Sequence, residues 1–299
     1  MKSLDPPTYA MQKIRIVEVG PRDGLQNEPR PVPTGVKVAF VDALSACGFE
    51  EIEVSSFVRP EWIPQLADAE EVFSRIRRAP GVTYMALVPN ARGLERAAAA
   101  RAGKVAVFTA ASETFSRKNT NASIAETLER FRPVVARAGV PVRGYISTAF
   151  HCPFEGPIAP ASVLPVARAL LDLGCAELSI GDTIGKAMPA EVERLFELLL
   201  ALCPADRLAA HFHDTYGQAV ANARAAEALG IRTFDASAGG IGGCPYAPGA
   251  PGNVATQALV AAFEGRTGID PAALEKASGV VRPYLGRSER RKDEKTEGG

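Results

Sequence analysis

Short apolar, β-branched runs alternate along the 299-residue chain with longer stretches of helical periodicity. The apolar runs predict strands at residues 14–19, 51–55, 82–88, 104–109, 140–147, 176–180, 208–213 and 233–236. The longer stretches predict helices at residues 35–47, 70–78, 91–102, 123–138, 161–173, 189–202, 218–229 and 252–263. Eight alternating units favour parallel strands with crossover helices, and so an α/β fold of the closed (β/α)8 TIM barrel type. A doubly wound open sheet is the alternative.

The two ends of the chain depart from this pattern. The barrel is predicted to occupy residues 13–285 as a single domain, since no Gly/Ser linker divides it. Residues 1–12 are irregular and show no signal or transit peptide, and residues 286–299 form a charged tail that we expect to be disordered. The chain has no run of about 18 apolar residues. We therefore expect a cytoplasmic protein with no membrane partner.

Composition narrows the choice of partner. Lys plus Arg and Asp plus Glu both number 34, so the formal net charge is zero. A neutral chain lacks the basic surface that binds nucleic acid or an anionic membrane, which favours a small-molecule partner. The five cysteines are scattered and never form a C-x-x-C motif, so they predict neither a disulfide framework nor a zinc knuckle.

Polar residues recur where the predicted strands end. They are Arg22 and Asp23 after the first strand, Glu53 in the second, Asp182 after the sixth, His211 and His213 ending the seventh, and Cys244 after the eighth. The carboxyl ends of barrel strands meet at one rim, where barrel enzymes have their active sites. The pattern therefore predicts that these dispersed residues form one site.

His211 and His213 are two residues apart at the end of a predicted strand. Side chains with this spacing point to the same side, so both imidazoles can reach one ion, and imidazole is a common metal ligand. The alternative is two unrelated histidines that are each satisfied by hydrogen bonds. Because two of only three histidines share this spacing, we interpret the pair as a metal site.

Arg22, Asp23 and Gly24 lie where the first strand should stop. An Asp there can ligate a metal and an adjacent Arg can neutralise a developing oxyanion, although an ordinary Asp-Gly turn fits the same residues. Glu53 is predicted to face the barrel interior, where a carboxylate needs a partner, and Arg22 is the obvious candidate. Glu53 then orients Arg22, acts as an acid or base, or forms a purely structural ion pair.

A glycine- and proline-rich segment, residues 239–249, follows the eighth strand. It has the order of neither a Walker phosphate loop nor a G-x-G-x-x-G fingerprint. Its glycines permit a mobile loop from which Cys244 can exchange a proton with substrate, and the alternative is a flexible turn with an incidental thiol. Asn253, at the start of the last predicted helix, can cap that helix or bind a metal.

Four segments together resemble the 3-hydroxy-3-methylglutaryl-CoA (HMG-CoA) lyase family. They are VEVGPRDGLQNE at 17–28, SFV at 56–58, residues 211–218, and residues 242–256 with the core GCPYAPG. The resemblance covers residues 14–285. It implies a metal-dependent barrel that cleaves HMG-CoA to acetyl-CoA and acetoacetate by a retro-Claisen reaction, and hence a place in leucine catabolism and ketone-body formation.

The resemblance also implies a ligand set for the metal. Asp23, His211, His213 and Asn253 would bind one divalent cation, Mg²⁺ or Mn²⁺. A site with oxygen donors and two imidazoles is consistent with those ions.

Four catalytic residues are implied by the same resemblance. Arg22 would stabilise enolate charge, Cys244 would act from its loop, and Glu53 and Asp182 would support the centre. Arg22 and Gln26 would contact the acyl-CoA substrate. A homodimer is expected because the outer helices of barrels often pair.

One position departs from the family pattern. Gln257 stands where a Glu is expected, one helical turn beyond Asn253. The change removes a negative charge that we expect near the metal, and so bears on metal affinity or substrate choice.

Three other functions stay open at this point. The substrate can be a homologue with a longer or branched 3-substituent. A Claisen-condensing acyltransferase that joins acetyl-CoA to a 2-oxo acid shares the R-D-G motif and paired histidines, but such enzymes lack the GCPYAPG segment. A non-catalytic barrel that binds acyl-CoA has only Gln257 in its favour.

Overall fold

The computed structural model describes residues 12–244 and 247–286, and the side chains of residues 243–251 lie outside that description. Most of the predicted tails, 1–12 and 286–299, also lies outside the described residues, so the two domain boundaries stay predictions. Within the described part of the chain, no helix is long and apolar enough to cross a membrane.

Eight parallel strands form a closed barrel. They are β1 Arg15–Glu18, β2 Glu51–Ser56, β3 Thr83–Leu87, β4 Lys104–Ala110, β5 Val142–Ser147, β8 Glu177–Asp182, β9 Leu208–Phe212 and β10 Thr233–Ala236. Two antiparallel pairs lie outside the barrel: β6 His151–Cys152 with β7 Gly156–Pro157, and β11 Gly243–Cys244 with β12 Ala247–Pro251.

The strands follow the order β1-β10-β9-β8-β5-β4-β3-β2, and β1 pairs with both β2 and β10. Val17 is the joint, since it is in register with Glu51 on one side and with Asp235 on the other. The (β/α)8 prediction is confirmed, and the open-sheet alternative is wrong because the first and last barrel strands hydrogen-bond to each other.

Helices cover the outside of the barrel. They are α1 Thr34–Ser45, α2 Ala69–Arg75, α3 Ala91–Ala99, α4 Glu113–Thr120, α5 Ile124–Arg137, α6 Pro160–Leu173, α7 Pro189–Leu200, α8 Ala219–Ala228, α9 Thr256–Ala262 and α10 Pro271–Val281. Helices α4 and α10 were not predicted from the sequence. Both begin with a recognisable cap: the Ser112 side chain accepts from the backbone N–H of Phe115, and Asp270 accepts from Ala272.

The predicted helix 252–263 begins too early. Asn253 forms a β-bridge with His213 and Ala255 forms one with Ser237, so residues 253–255 are extended and the helix starts at Thr256. Of the two roles left open for Asn253, helix capping is therefore wrong.

The base of the barrel is closed by charged side chains. Arg15, Glu51, Lys104 and Glu177 each begin a strand, and we call them the basal charge cluster. The Lys104 Nζ lies 2.9 Å from a Glu51 oxygen and 2.8 Å from a Glu177 oxygen, and Arg15 pairs with both of these carboxylates. A smaller apolar cluster, which includes Val17 and Tyr145, is separate from the main apolar core.

Candidate active site

A cavity of about 810 Å³ is lined by residues that follow or end several barrel strands. Five residues predicted for the site line it: Arg22, Asp23, Gln26, His211 and His213. The side-chain oxygen of Gln26 is buried, and no residue that the structure describes forms a hydrogen bond with it. The structure thus gathers these residues, from two ends of the sequence, around one space.

Three of the lining residues can share an ion. Asp23, His211 and His213 each offer one ligand atom, and these atoms all lie within 4.8 Å of one another. The fourth predicted ligand, Asn253, is beside them, since its side-chain amide donates to Asp23 Oδ2 over 2.8 Å. The bridge between His213 and Asn253 sets this spacing through the backbone.

The donor set fits a divalent cation. Burial and the neighbouring His211 lower the pKa of His213 to about 4, so its imidazole is neutral, which is the form that binds metals. The Nδ1 of His213 is buried, and none of the described residues forms a hydrogen bond with it. Such an atom is costly to bury unless a ligand completes it, and two imidazoles with a carboxylate form a common metal site.

Arg22 and Asp23 are displayed by a single π-helical turn, Gly20–Gly24, rather than by the strand end itself. The backbone N–H groups of Arg22, Asp23 and Gly24 all point at the Val19 carbonyl, at 3.1, 2.8 and 3.2 Å. Glycine is required at position 24, because a Cβ there would lie 2.6 Å from the Ile241 side chain. Turns of this kind are frequent at functional sites.

A buried carboxylate, Glu18, supports that turn and was not singled out by the sequence analysis. It accepts hydrogen bonds from the backbone of Gly20 at 2.8 Å and Ala238 at 2.9 Å, and from the Thr256 hydroxyl at 2.8 Å. Burial raises the pKa of Glu18 to about 7 despite these donors. A charged residue within the apolar run Val17–Val19 was the available signal.

Arg22 connects two carboxylates. Its Nε donates to Glu53 Oε2 over 2.7 Å and its Nη1 donates to Asp23 Oδ1 over 2.5 Å. Burial opposes the charged form of Arg22, but the two carboxylates outweigh it and raise the Arg22 pKa. Burial also opposes the charged form of Asp23, but Arg22, the two histidines and the Asn253 amide together outweigh it and lower the Asp23 pKa. Of the roles left open for Glu53, the geometry supports orientation of Arg22.

Tyr145 on β5 also lines the cavity and was missed. Its hydroxyl donates to Glu53 Oε2 over 3.2 Å, and the Arg22 guanidinium lies 5.5 Å from the ring centre. Burial, reinforced by Glu53, raises the pKa of Tyr145, so the phenol keeps its proton. Tyr145 and Glu53 thus hold Arg22 from two sides.

Asp182 is the last residue of β8, and its role is in the following loop. Its carboxylate accepts from the backbone of Lys186 at 3.1 Å and Ala187 at 3.0 Å, and burial raises its pKa to about 6. Its neighbours Gly181 and Thr183, rather than Asp182, line the cavity. Support of the centre by Asp182 stays a prediction, and the geometry supports it only through the loop.

Gln257 contacts the loop that leads to Cys244. Its Oε1 accepts from Gly239 N and its Nε2 donates to Ser278 Oγ, both over 2.8 Å. The charge difference at this position therefore acts on the loop after β10 and on α10. The thiol of Cys244 lies outside the described side chains, so its catalytic role stays a prediction.

Comparisons with known proteins agree with this geometry. A family model described as HMGL-like matches residues 13–281. A protein of Pseudomonas aeruginosa named 3-hydroxy-3-isohexenylglutaryl-CoA/hydroxy-methylglutaryl-CoA lyase is 50% identical, over 93% of this chain and 94% of its own.

Solved structures give the same result. The crystal structure of the HMG-CoA lyase from Brucella melitensis superposes with a TM-score of 0.89 at 49% identity, over 91% of this chain and 98% of that one. An HMG-CoA lyase from Acinetobacter baumannii, solved with coenzyme A and 3-methylmalate, has a TM-score of 0.87 at 36% identity and covers 99% of both chains. This chain is a member of the HMGL-like family of carbon–carbon lyases.

Proposed function

We propose that the chain cleaves HMG-CoA to acetyl-CoA and acetoacetate. The observation that carries the proposal is the cluster of Asp23, His211 and His213 beside the Arg22 guanidinium in one cavity. The named activities of the relatives support it. The products would place the chain in ketone-body formation and leucine catabolism.

Mg²⁺ or Mn²⁺ is the proposed cofactor, held by Asp23, His211 and His213 with Asn253. When bound there, the cation would acidify the C3 hydroxyl of the substrate, as a Lewis acid does for bound water. The hydroxyl proton leaves, the C2–C3 bond breaks, C3 becomes the carbonyl of acetoacetate, and the bond electrons pass to the acetyl-CoA enolate. A proton then returns to C2.

The residues of the chain prepare Arg22 for that enolate. Glu53 and Tyr145 fix the Arg22 guanidinium in the cavity wall. Its positive charge is therefore already in place when negative charge develops on the enolate. Gly242 brings the Cys244 segment to the site: a Cβ on Gly242 would lie 2.9 Å from the Asn253 side chain. This backbone approach supports the proposal that Cys244 exchanges the C2 proton.

The test uses purified protein that is stripped with EDTA and refilled with Mg²⁺ or Mn²⁺. We expect acetoacetate and acetyl-CoA to form from HMG-CoA in equal amounts, only after refilling. If HMG-CoA stays intact while acetyl-CoA and a 2-oxo acid release CoA, the chain is a condensing acyltransferase. If HMG-CoA binds and neither reaction occurs, it is a non-catalytic acyl-CoA-binding barrel.

A longer 3-substituent is the second candidate, and an apolar wall favours it. Leu87 on β3 and Phe108 on β4 line the cavity and belong to one apolar cluster. Phe115 of α4 also lines the cavity. Strand β4 lies three strands from both β1 and β9, which display the predicted ligands. This apolar wall therefore lies across the cavity from the predicted metal ligands. It suits an alkenyl chain such as the one in the name of the P. aeruginosa relative.

Steady-state kinetics with the methyl and isohexenyl thioesters decide between the substrates. An apolar pocket gains about tenfold or more in kcat/KM from each well-packed methylene group, so the isohexenyl substrate should be at least as good as HMG-CoA. Leu87→Trp should then impair the long substrate and spare HMG-CoA. Cleavage of HMG-CoA alone would contradict the second candidate.

The homodimer and the cytoplasmic location also stay predictions. Sedimentation of the purified protein tests the homodimer.

A further inference from the structure

A fully buried carboxylate lies behind one of the predicted metal ligands. Asp235 on β10 is in register with His211 on β9, and its Oδ2 lies 3.2 Å from the Nδ1 of the His211 ring. The Asp235 side chain has no solvent exposure. No motif in the sequence analysis included Asp235.

Two further side chains hold this carboxylate in place. Arg143 Nη2 donates to Asp235 Oδ1 over 2.6 Å, and the Ser179 hydroxyl donates to Asp235 Oδ2 over 2.8 Å. Arg143 is itself fully buried, and its Nε lies 3.4 Å from Glu177 of the basal charge cluster. Asp235 thus has its position fixed by strands β5 and β8 as well as its own.

This arrangement distinguishes the two nitrogens of His211. A carboxylate at Nδ1 requires the proton on Nδ1, which leaves the Nε2 lone pair for the side where Asp23 and His213 lie. His213 has no such support among the described residues, since none of them forms a hydrogen bond with its buried Nδ1. Among the described residues, His211 is therefore oriented by a carboxylate before any ion binds, whereas His213 is not.

We propose that Asp235, held by Arg143 and Ser179, is a positioning residue that fixes the tautomer and the ring orientation of His211 for metal binding. The proposal rests on the proposed function only for the identity of the metal site. It concerns the chain's own hydrogen bonds, so it can be tested without turnover.

The Asp235→Asn variant separates this role from simple packing. The amide has nearly the shape of the carboxylate, but only one of its two ends accepts hydrogen bonds. The Arg143 guanidinium has only donors, so the amide oxygen turns towards Arg143 and the NH2 group faces His211. His211 must then accept at Nδ1 and carry its proton on Nε2, which is the wrong tautomer for the metal.

Mn²⁺ binding, followed by electron paramagnetic resonance of the free ion, is the first measurement. Loss of a hydrogen-bond partner of this kind lowers metal affinity by about 10- to 100-fold, and we expect that loss in Asp235→Asn. Glu51→Gln is the matched control: it removes a buried carboxylate charge at the base, and should keep the wild-type affinity. Equal affinities in Asp235→Asn and the wild type would overturn the proposal, even if the wild type cleaves HMG-CoA.

Nitrogen-15 NMR of the Mg²⁺-loaded wild-type protein is the second measurement, and it needs no variant at this position. The chain has only three histidines, and His151→Gln identifies one set of signals. We expect His211 to carry its proton on Nδ1. A proton on Nε2 instead would overturn the proposal whether or not Asp235→Asn folds, and absence of HMG-CoA cleavage would leave this result untouched.

Discussion

The two ends of the barrel both carry buried charges, but these charges are paired differently at the two ends. In the basal charge cluster each cation contacts both carboxylates. At the rim, Arg22 pairs with Asp23 and Glu53, yet within the described part of the chain Glu53 Oε1 and His213 Nδ1 are buried without a hydrogen-bond partner. Buried polar atoms without partners are destabilising. The base therefore uses its charges to close the barrel, whereas the rim keeps unsatisfied atoms that a ligand can complete.

Arg143 joins the two ends. It lies inside the barrel between Glu177 of the base, at 3.4 Å, and Asp235 beneath the rim, at 2.6 Å. Arg143 thus connects the base by ion pairs to the Asp235 carboxylate that contacts His211. The comparison predicts that changes at the rim affect chemistry and changes at the base affect stability, and the variants below test this separation.

The largest effect is expected from His213→Ala. The change removes one of two imidazole ligands, so Mn²⁺ binding and HMG-CoA cleavage should both fall below detection. EDTA should abolish wild-type turnover to the same extent, and added Mn²⁺ should restore the wild type but not the variant. The melting temperature of the metal-free variant should stay at the wild-type value or above it, since a buried unpaired nitrogen has been removed. A metal-restored, active variant would contradict the predicted ligand set.

Lys104→Met should lower stability most. Removing one partner from a buried ion pair typically costs about 3–5 kcal/mol. Without Lys104, Glu51 would keep only Arg15 as an ion-pair partner, and Glu177 would keep Arg15 and Arg143. Urea unfolding gives the free-energy change. Turnover of the folded variant at low temperature should match the wild type, and a parallel fall in kcat would break the separation between base and rim.

Arg22→Gln should reduce kcat by about 10²- to 10³-fold, which corresponds to about 3–4 kcal/mol of lost transition-state stabilisation. KM should change little, since the enolate charge appears only as the C2–C3 bond breaks. The matched control is Arg15→Gln at the base, which removes the same charge and should lower stability but leave kcat unchanged. Equal kcat values in the two variants would remove Arg22 from the chemistry.

Local pattern was enough to predict much of this molecule. Periodicity predicted the eight barrel strands, and the meeting of strand ends in a barrel predicted that Asp23 and His213 are neighbours. Alternation along a strand predicted that Glu53 faces Arg22. Each of these inferences uses only a spacing within one element or one general property of the fold.

The residues that were missed depend on partners far away in the chain. Tyr145 meets Glu53, and Arg143 meets Asp235, across 92 residues in each case. Such pairs follow from the register of the closed barrel, which no local motif records. The π-helical turn Gly20–Gly24 is a similar case, because Glu18 accepts hydrogen bonds both from Gly20 in this turn and from Ala238 near the other end of the sequence.

Glu18 lies between the base and the rim in its role, since it supports the rim without lining the cavity. Its substitution gives the smallest predicted effect. The folded protein keeps the Glu18 proton up to about pH 7, whereas the unfolded chain releases it near 4.5. The protonated Glu18 therefore contributes up to about 3 kcal/mol to the free energy of unfolding below pH 4.5, and this contribution is lost as the pH rises to about 7. In Glu18→Gln the amide oxygen can still accept from Gly20 and Ala238, and its NH2 can donate to Thr256.

Urea unfolding of the wild type and Glu18→Gln across pH 4 to 8 measures this contribution directly. The difference in unfolding free energy between the two proteins should shift in favour of the variant as the pH rises, while kcat at pH 8 should stay within about threefold because the turn keeps its hydrogen bonds. A constant difference would show that Glu18 does not titrate in this window. A large loss of kcat with unchanged stability would instead group Glu18 with the rim residues. The π-helical turn and its support would then both belong to the region that affects chemistry.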